Sequence, residues 1–455
     1  MTGQNKKNGR LRYYVNRCLL ALLSVIISTA CAVSGIYLVD NYVIIKADQD
    51  NNSDIVYSDT NDEKITKVST ATVAATGDLF MQMPIITNAK TDDGYNFDSI
   101  FTYFSKYIKK VDYTVANLET TLCGNEDGYK YKGSPQFNCP DEIIDAVKKA
   151  GFDMMLTANN HSYDTRYKGM LRTLEVIDNK GLDRLGIVKS EDEKHYVIKS
   201  INNIKLGMIC YTYETDKDED EVVLNGISLS DDAKKLINTF NVKELDTFYD
   251  KISGQINDIK ADGAQAVVLY IHWGDEYSLE ENKTQREIAQ KMCDLGVDVI
   301  LGSHPHVVEP IELLSSSIDD SHKTVCVYSL GNAVSNQRKE KMKMKTGHTE
   351  DGLLFGLTFA KYSDGTVRLD KVEALPLWVN MFESSVYDAT VYQIIPLDIN
   401  IEDWKEAFDL TDKSEKSSKD SYERTMKIIG EGLQEVNDYL NSIENAYPPS
   451  ESTTK

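Results

Sequence analysis

Six apolar runs of strand length each end in polar residues of the kind that bind metals, and this recurrence constrains the fold more than any other feature. The run 71–76 ends at Gly77-Asp78 and 113–116 at Asn117-Leu118-Glu119. The run 152–157 ends at Asn159-Asn160-His161 and 266–271 at His272. The run 297–301 leads into Gly302-Ser303-His304-Pro305-His306, and 325–329 into Leu330-Gly331-Asn332. Stretches with helical spacing (97–108, 141–150, 167–180, 233–260 and 283–295) lie between them. That alternation predicts an α/β fold, a largely parallel or mixed sheet with helices outside. Open sheets of this type bind ligands at the carboxyl ends of their strands. Loops are polar in general, so one such ending is ordinary. Six of them, holding four of the seven histidines, point to one shared site.

The donor set suggests its chemistry. Asp78, Glu119, Asn160, His272, His304 and His306 offer mixed oxygen and nitrogen ligands, which suit Mn, Fe or Zn better than Ca or Mg. Their number implies two divalent ions about 3.5–4 Å apart, bridged by a carboxylate. His161 is then left to donate a proton to a leaving group. The plainer readings are that His272, beside Trp273, is a satisfied core histidine and that Asp78 is a turn residue. Their places at strand ends favour ligation. Trp273 and Tyr277 read as packing. Asn332, Arg166 and Lys132 are candidates for substrate binding, since a carboxylate- or phosphate-rich substrate calls for cations.

The chain carries 72 acids against 50 bases, a net charge of -22. That argues against a nucleic-acid partner, which wants a basic face. Residues 1–17 are a basic tail, and 18–39 contain no charge, long enough for a transmembrane helix. The positive tail places the N-terminus in the cytoplasm and the rest outside. A lipoprotein signal at Cys31 lacks its leucine, and the apolar run outlasts a secretory signal. An uncleaved single-pass anchor in the cell membrane is therefore expected. An acidic linker (40–68) follows, then the main domain (69–335). A β-hairpin region (336–400) is expected to pack on that domain, and 401–455 give a C-terminal helix and loose tail. Met426, Ile429, Leu433, Val436, Leu440 and Ile443 recur on one face of that helix. Asn202-Asn203 marks a hairpin, and 216–221 an acidic loop. Cys123 and Cys139 flank a polar loop and could pair outside the cell, although two free thiols are the simpler reading.

In order and spacing, these six motifs resemble the bacterial capsule-synthesis CapA/PgsA family of poly-γ-glutamate biosynthesis, over roughly residues 70–335. The resemblance implies a branch of the calcineurin-like metallophosphoesterases: a four-layer α/β/β/α sandwich with a dimetal centre at the strand ends. Asp78 would then ligate one metal, Glu119 would bridge, and Asn160 would ligate the second. His272, His304 and His306 would complete the two shells, with His161 catalytic. Three positions depart from the pattern: Phe80 stands where the superfamily has histidine, Arg166 where the family has glycine, and Glu309 where it has glutamine. Phe80 leaves open whether one metal binds or two. The implied function is making or exporting an anionic capsule polymer with synthase or export subunits. The alternatives are a non-catalytic scaffold of such a complex, or a cell-wall phosphodiesterase or phosphatase.

Overall fold

The computed structural model describes residues 65–215, 221–385 and 389–446. The basic tail, the 18–39 segment, nearly all of the 40–68 linker, most of the 216–221 loop and the tail from 447 lie outside the described residues. Among the described residues no helix is long and apolar enough to cross a membrane.

The chain enters on β1 (Lys67–Leu79), whose first residues alternate in exposure and whose last seven are all buried. That change marks a strand running from a rim into a space covered on both faces. β2 (Tyr113–Leu118) follows, then helix α1 (Glu142–Ala150), β3 (Met154–Leu156), helix α2 (Arg166–Asn179) and β4 (Asp183–Leu185). These four strands lie parallel and in sequence order. α1 stops at Gly151, which takes the left-handed conformation (φ 118°) that glycine adopts at least cost.

A second sheet begins with a hairpin, β5 (Tyr196–Ile201) and β6 (Ile204–Tyr213). Its turn is Asn202-Asn203, both with positive φ (49° and 66°), which suits the right-handed twist of the flanking strands. Next come α3 (Asp231–Leu236), β7 (Thr239–Phe240), α4 (Leu245–Ala261) and β8 (Ala266–His272). Helix α5 (Lys283–Asp294), opened by an Asn282/Gln285 capping box, leads to β9 (Val299–Ser303). β10 (Ile311–Ser315) and β11 (Lys323–Val327) complete this sheet, in the order β7-β6-β8-β9-β11-β10 with β5 beside β6. The chain then returns to the first sheet. β12 (Asn332–Val334) pairs parallel with β1, and β13 (Asp351–Tyr362) antiparallel with it. β14 (Val367–Ser384) and β15 (Ala389–Pro396) extend the sheet outward, so the strands of the 336–400 region are hydrogen-bonded into it.

The layers follow from which side chains meet. Val73, Val115 and Met154 of the first sheet share a core with Met208, Val268, Leu301 and Val327 of the second. Behind the first sheet, Ala116 and Met155 pack with Ile143, Val147 and Ile177 of α1 and α2. Behind the second, Val267, Leu269 and Ile300 pack with Ile252, Ile256 and Met292 of α4 and α5. Two sheets therefore face each other, with helices on the outside.

Two expected helices are broken. The 97–108 stretch is a short 3-10 turn, Asp98–Phe101, and a single helical turn, Ser105–Ile108. The 233–260 stretch is split by β7, which leaves the helical path to pair with the end of β6 (Thr239 with Thr212). Helical periodicity cannot register a competing strand partner distant in sequence. Cys123 and Cys139 are both free and buried.

The last helix, α6 (Asp412–Ala446), sends Ile429, Val436 and Leu440 into the core between the sheets. Burying each such side chain is worth about 1.5–3 kcal/mol. Polar contacts fix its register: Arg424 Nη2 donates to Asp351 Oδ1 (2.6 Å), and Ser421 Oγ donates to the same oxygen (2.5 Å). Burial pushes the Asp351 carboxyl up to about 7, against the pull of Arg424. A raised carboxyl pKa means that stability falls as pH rises from the ordinary carboxylate range through about 7. Arg424→Ala leaves the ionised carboxylate without its cation and is expected to cost about 1–3 kcal/mol. Urea unfolding should show a greater loss above pH 7 than below it, and an equal loss at all pH would remove this explanation.

Candidate metal centre

The ends of β1, β2, β8 and β9, with the loops after β3 and β11, meet at one place. Two glycines allow the approach. A Cβ on Gly77 would fall 1.8 Å from the Gly331 carbonyl oxygen, and one on Gly302 1.8 Å from that of Tyr328. The loop after β9 is strained: His304 and His306 both hold left-handed backbone, at φ 101° and 58°. Such conformations cost about 1–3 kcal/mol each in a non-glycine residue and persist where the surroundings enforce them.

Asp78, Glu119, Asn160, His272, His304 and His306 are all buried. Two sets of ligand atoms emerge. Glu119, His272 and His304 form one, and Asp78, Glu119 and His306 the other, with the atoms in each within 4.8 Å of one another. Glu119 belongs to both. Its Oε1 lies 3.6 Å from His272 Nε2 and 3.8 Å from His306 Nε2. Asn160 Oδ1 faces the first set, 3.0 Å from His272 Nε2. In the second, Asp78 Oδ2 is 3.1 Å from His306 Nδ1.

Do these residues fit a cation? Both Glu119 oxygens are buried without a hydrogen-bond partner, and so is His304 Nδ1. Buried polar atoms are almost always satisfied, and an unpaired buried carboxylate is among the most expensive exceptions. A divalent ion at each set would satisfy all three atoms, so the donors fit. Burial, then the neighbouring carboxylates Asp78, Glu276 and Asp164, pushes the Glu119 carboxyl well above its usual range. Burial, then the adjacent imidazoles, pushes His272 and His304 well below theirs, which keeps both rings neutral and ready to ligate. The sign of the pH dependence follows. The proton that competes with metal sits on Glu119 rather than on these histidines. Metal affinity is therefore expected to rise with pH through the raised Glu119 pKa, with proton release on binding. Calorimetry in buffers of different ionisation enthalpy measures that release, and finding none would contradict the assignment.

Several supporting groups escaped the sequence reading. Ser303 Oγ sits 2.9 Å from His272 Nδ1, and the Tyr213 hydroxyl 3.1 Å from His304 Nε2, so both rings are held by their outward nitrogens. Asn117 Nδ2 donates to Asp78 Oδ1 (2.7 Å), and Asn159 Nδ2 donates to Asn117 Oδ1 (3.0 Å). Tyr213 ends β6 as His272 ends β8, a signal that was available. Phe80 stacks on His306 with ring centroids 4.4 Å apart. An aromatic wall thus stands where the superfamily resemblance implies a further histidine, and the second set keeps three donors.

His161 lies in neither set. Its Nδ1 is 2.8 Å from Asp164 Oδ2, which also accepts from the Phe137 backbone amide (2.6 Å). Asn225 Nδ2, from a turn distant in sequence, donates to Asp164 Oδ1 (2.8 Å). Of the three expected substrate binders, Asn332 lies within the centre and Arg166 and Lys132 stand apart from it. Asn332 is buried, with Oδ1 3.1 Å from His306 Nδ1 and Nδ2 donating to the His306 carbonyl, Gln337 Oε1 and the Thr349 carbonyl. Its amide is thus engaged in holding His306. Arg166 is exposed at the start of α2 with left-handed backbone (φ 63°). Lys132 is exposed and donates to Gln136 Oε1 (3.1 Å). Neither cation bonds to the metal-ligand candidates. Glu309 is turned to Gln285, whose Nε2 donates to it (2.8 Å), and burial pushes its carboxyl up to about 8.

Residues 72–337 match the family described as bacterial capsule synthesis protein PGA_cap. The chain belongs to that family. It is 29% identical over 270 residues to the capsule biosynthesis protein CapA of Bacillus anthracis, covering 58% of this chain and 60% of that one. It is 28% identical over 352 residues to the PGA biosynthesis protein CapA of Bacillus subtilis strain 168, covering 75% of this chain and 83% of that one. Among solved structures, a Staphylococcus aureus protein assigned as a 5'-nucleotidase, in complex with alpha-ketoglutarate, aligns at a TM-score of 0.40 and 11% identity. That alignment covers 68% of this chain and 54% of that one.

Proposed function

We propose that this family member is a membrane-anchored, extracytoplasmic protein of capsule biosynthesis with a metal-dependent hydrolase site of metallophosphoesterase type. One observation carries the hydrolase reading: Glu119 is shared by two ligand sets, with both oxygens otherwise unpaired. The relatives' roles in capsule and PGA biosynthesis support an anionic polymer, poly-γ-glutamate, as the material made or exported. The uncharged 18–39 segment after a basic tail supports the anchor.

In this reading Asp78, Glu119 and His306 would hold one divalent ion, and Glu119, Asn160, His272 and His304 would hold a second. Mn, Fe or Zn bound there would supply Lewis-acid activation of water and offset negative charge in the transition state. The chain's own residues do the rest. Ser303, Tyr213 and Asn332 fix the imidazoles. Phe80 and Phe137, with centroids 4.5 Å apart, form a dry wall beside His161. Asp164 accepts from His161 Nδ1 and offsets the charge of the doubly protonated ring, whose Nε2 proton passes to the departing oxygen and leaves the neutral ring behind. The bond cleaved is a phosphoester or, as the lesser case, an amide.

The three-donor set beside Phe80 favours a second reading, a non-catalytic scaffold that binds metal or polymer without turnover. Elemental analysis of the purified chain and turnover of an aryl phosphate with Mn, for wild type and His304→Ala, separate the two. Metal with turnover that His304→Ala abolishes supports the hydrolase. Metal without turnover supports the scaffold, and turnover that survives the substitution ends the metal mechanism.

A further inference from the structure

An acidic chain carries one short stretch of the opposite sign. Residues 338–345 read Arg-Lys-Glu-Lys-Met-Lys-Met-Lys, five cations and one acid. Met342 and Met344 are partly buried while Lys341, Lys343 and Lys345 stand exposed, so the loop presents its lysines. Exposed lysines elsewhere are commonly neutralised, as in Lys149–Asp98, Lys168–Asp127, Lys180–Asp145 and Lys235–Glu191. Here Lys341 Nζ donates to Asn336 Oδ1 (2.7 Å) and Lys345 Nζ to the Glu340 carbonyl (3.0 Å), both neutral acceptors. Among the described residues, none of the side-chain ammonium groups of Lys339, Lys341, Lys343 and Lys345 has a carboxylate partner, although the Lys339 backbone amide donates to Glu350 Oε1 (2.8 Å). Arg338 is buried and committed to Glu350 (2.8 Å).

The base of this loop is the wall of the metal centre. Gln337 Oε1 and the Thr349 carbonyl both accept from Asn332 Nδ2 (3.0 Å each), the amide whose Oδ1 faces His306. Thr349 Oγ1 closes the base by donating to the Gln337 carbonyl (2.6 Å). Gln337 Nε2 reaches the Tyr277 hydroxyl (3.0 Å), and the Tyr277 ring lies 6.2 Å from that of His306. Like charges gathered without counter-charges repel, and that repulsion is relieved when an anion binds. Lysines at alternate positions meet an anion whose charge repeats along its length. As point charges without an accessible guanidinium fork, they suit carboxylates presented loosely rather than one planar group.

We infer that loop 338–345 is the docking strip for a linear polycarboxylate, and that it lays the polymer across the mouth of the metal centre. The inference takes its ligand from the capsule-polymer reading above but does not depend on turnover. A chain of net charge -22 repels such a polymer at long range, so capture needs a local patch of this kind.

The test is fluorescence anisotropy of labelled poly-γ-glutamate with the full chain across a salt series. Lys341→Gln/Lys343→Gln/Lys345→Gln should weaken binding about tenfold, the sum of three modest exposed charge contacts, and flatten its salt dependence. The matching triple Arg variant, which keeps the charge, should bind like wild type. Unchanged melting and metal content would establish that the Gln variant is folded. Wild-type affinity in the Gln variant, no binding by wild type, or equal affinity for a single-stranded RNA of similar charge would each overturn the inference. No hydrolysis is read, so a chain with no enzymatic activity still passes or fails.

Discussion

Glu119→Gln is expected to empty both metal sets at once. The substitution keeps the shape and removes one negative charge, and no other residue stands in both sets. Changing an outer partner of a metal ligand typically costs 10- to 100-fold in affinity or activity, so losing the shared ligand should cost more than about 100-fold in each. Metal content by elemental analysis should fall from its wild-type value toward none. Stability should move in opposite directions in the two states. Without metal, the wild-type chain buries a carboxylate that nothing bonds and that burial and Asp78 both disfavour ionising. Metal-free Glu119→Gln should therefore melt no lower than metal-free wild type. With metal the order reverses, because an ion that binds only the folded state stabilises it by mass action. Adding Mn should raise the wild-type melting temperature clearly and the variant's little. A variant that keeps the wild-type metal content and responds to Mn like wild type would remove Glu119 from the shared position.

The gathering of Asp78, Glu119, His272, His304 and His306 at one place is legible in the sequence because each follows an apolar run and each is a residue type that can ligate a metal. For His272 and His304 the rule that parallel strands deliver their ends to a common edge is enough, but Asp78 ends a strand of the other sheet and joins them only because the two sheets face each other. The residues that hold them were not legible in the same way. Ser303 and Tyr213 matter through contacts set by the register of β6, β8 and β9, with His272 opposite both Thr212 and Ser303. Its place at a strand end puts Tyr213 near the site, but no local pattern marks a serine or tyrosine as the partner of a distant ring. The same limit explains the helix expected over 233–260: its apolar spacing is real, but the backbone at Thr239 finds a better partner in β6. Asn225 shows a middle case. Asn225-Gly226 is a visible turn signal, yet that its side chain reaches Asp164 depends on how the turn sits against the 134–138 loop, where it also donates to the Pro135 carbonyl (2.6 Å).

His161→Gln is expected to lower kcat by about 10²–10⁴ while leaving metal content unchanged, the usual span for a positioned acid or base. Geometry separates His161 from the ligands. It belongs to neither set, and its Nδ1 is occupied by Asp164 at 2.8 Å. Asp164 is itself oriented by the Phe137 amide and by Asn225, so the imidazole has one preferred orientation, with Nε2 turned to whatever binds. Asp164→Asn should lose rate for a related reason. An amide at that position carries no negative charge to offset the doubly protonated ring, the form that gives up a proton from Nε2, so the ring keeps its place and loses its strength as an acid. Because both substitutions disable one unit, the double variant should be no slower than His161→Gln alone. The leaving group supplies the sharper test. An acid that protonates the departing oxygen matters most when that oxygen is a poor leaving group. The loss in His161→Gln should therefore be large for alkyl phosphoesters and small for nitrophenyl ones. A loss of equal size across that series would make His161 a binding residue, and a loss of only a few-fold throughout would take the proton transfer away from it.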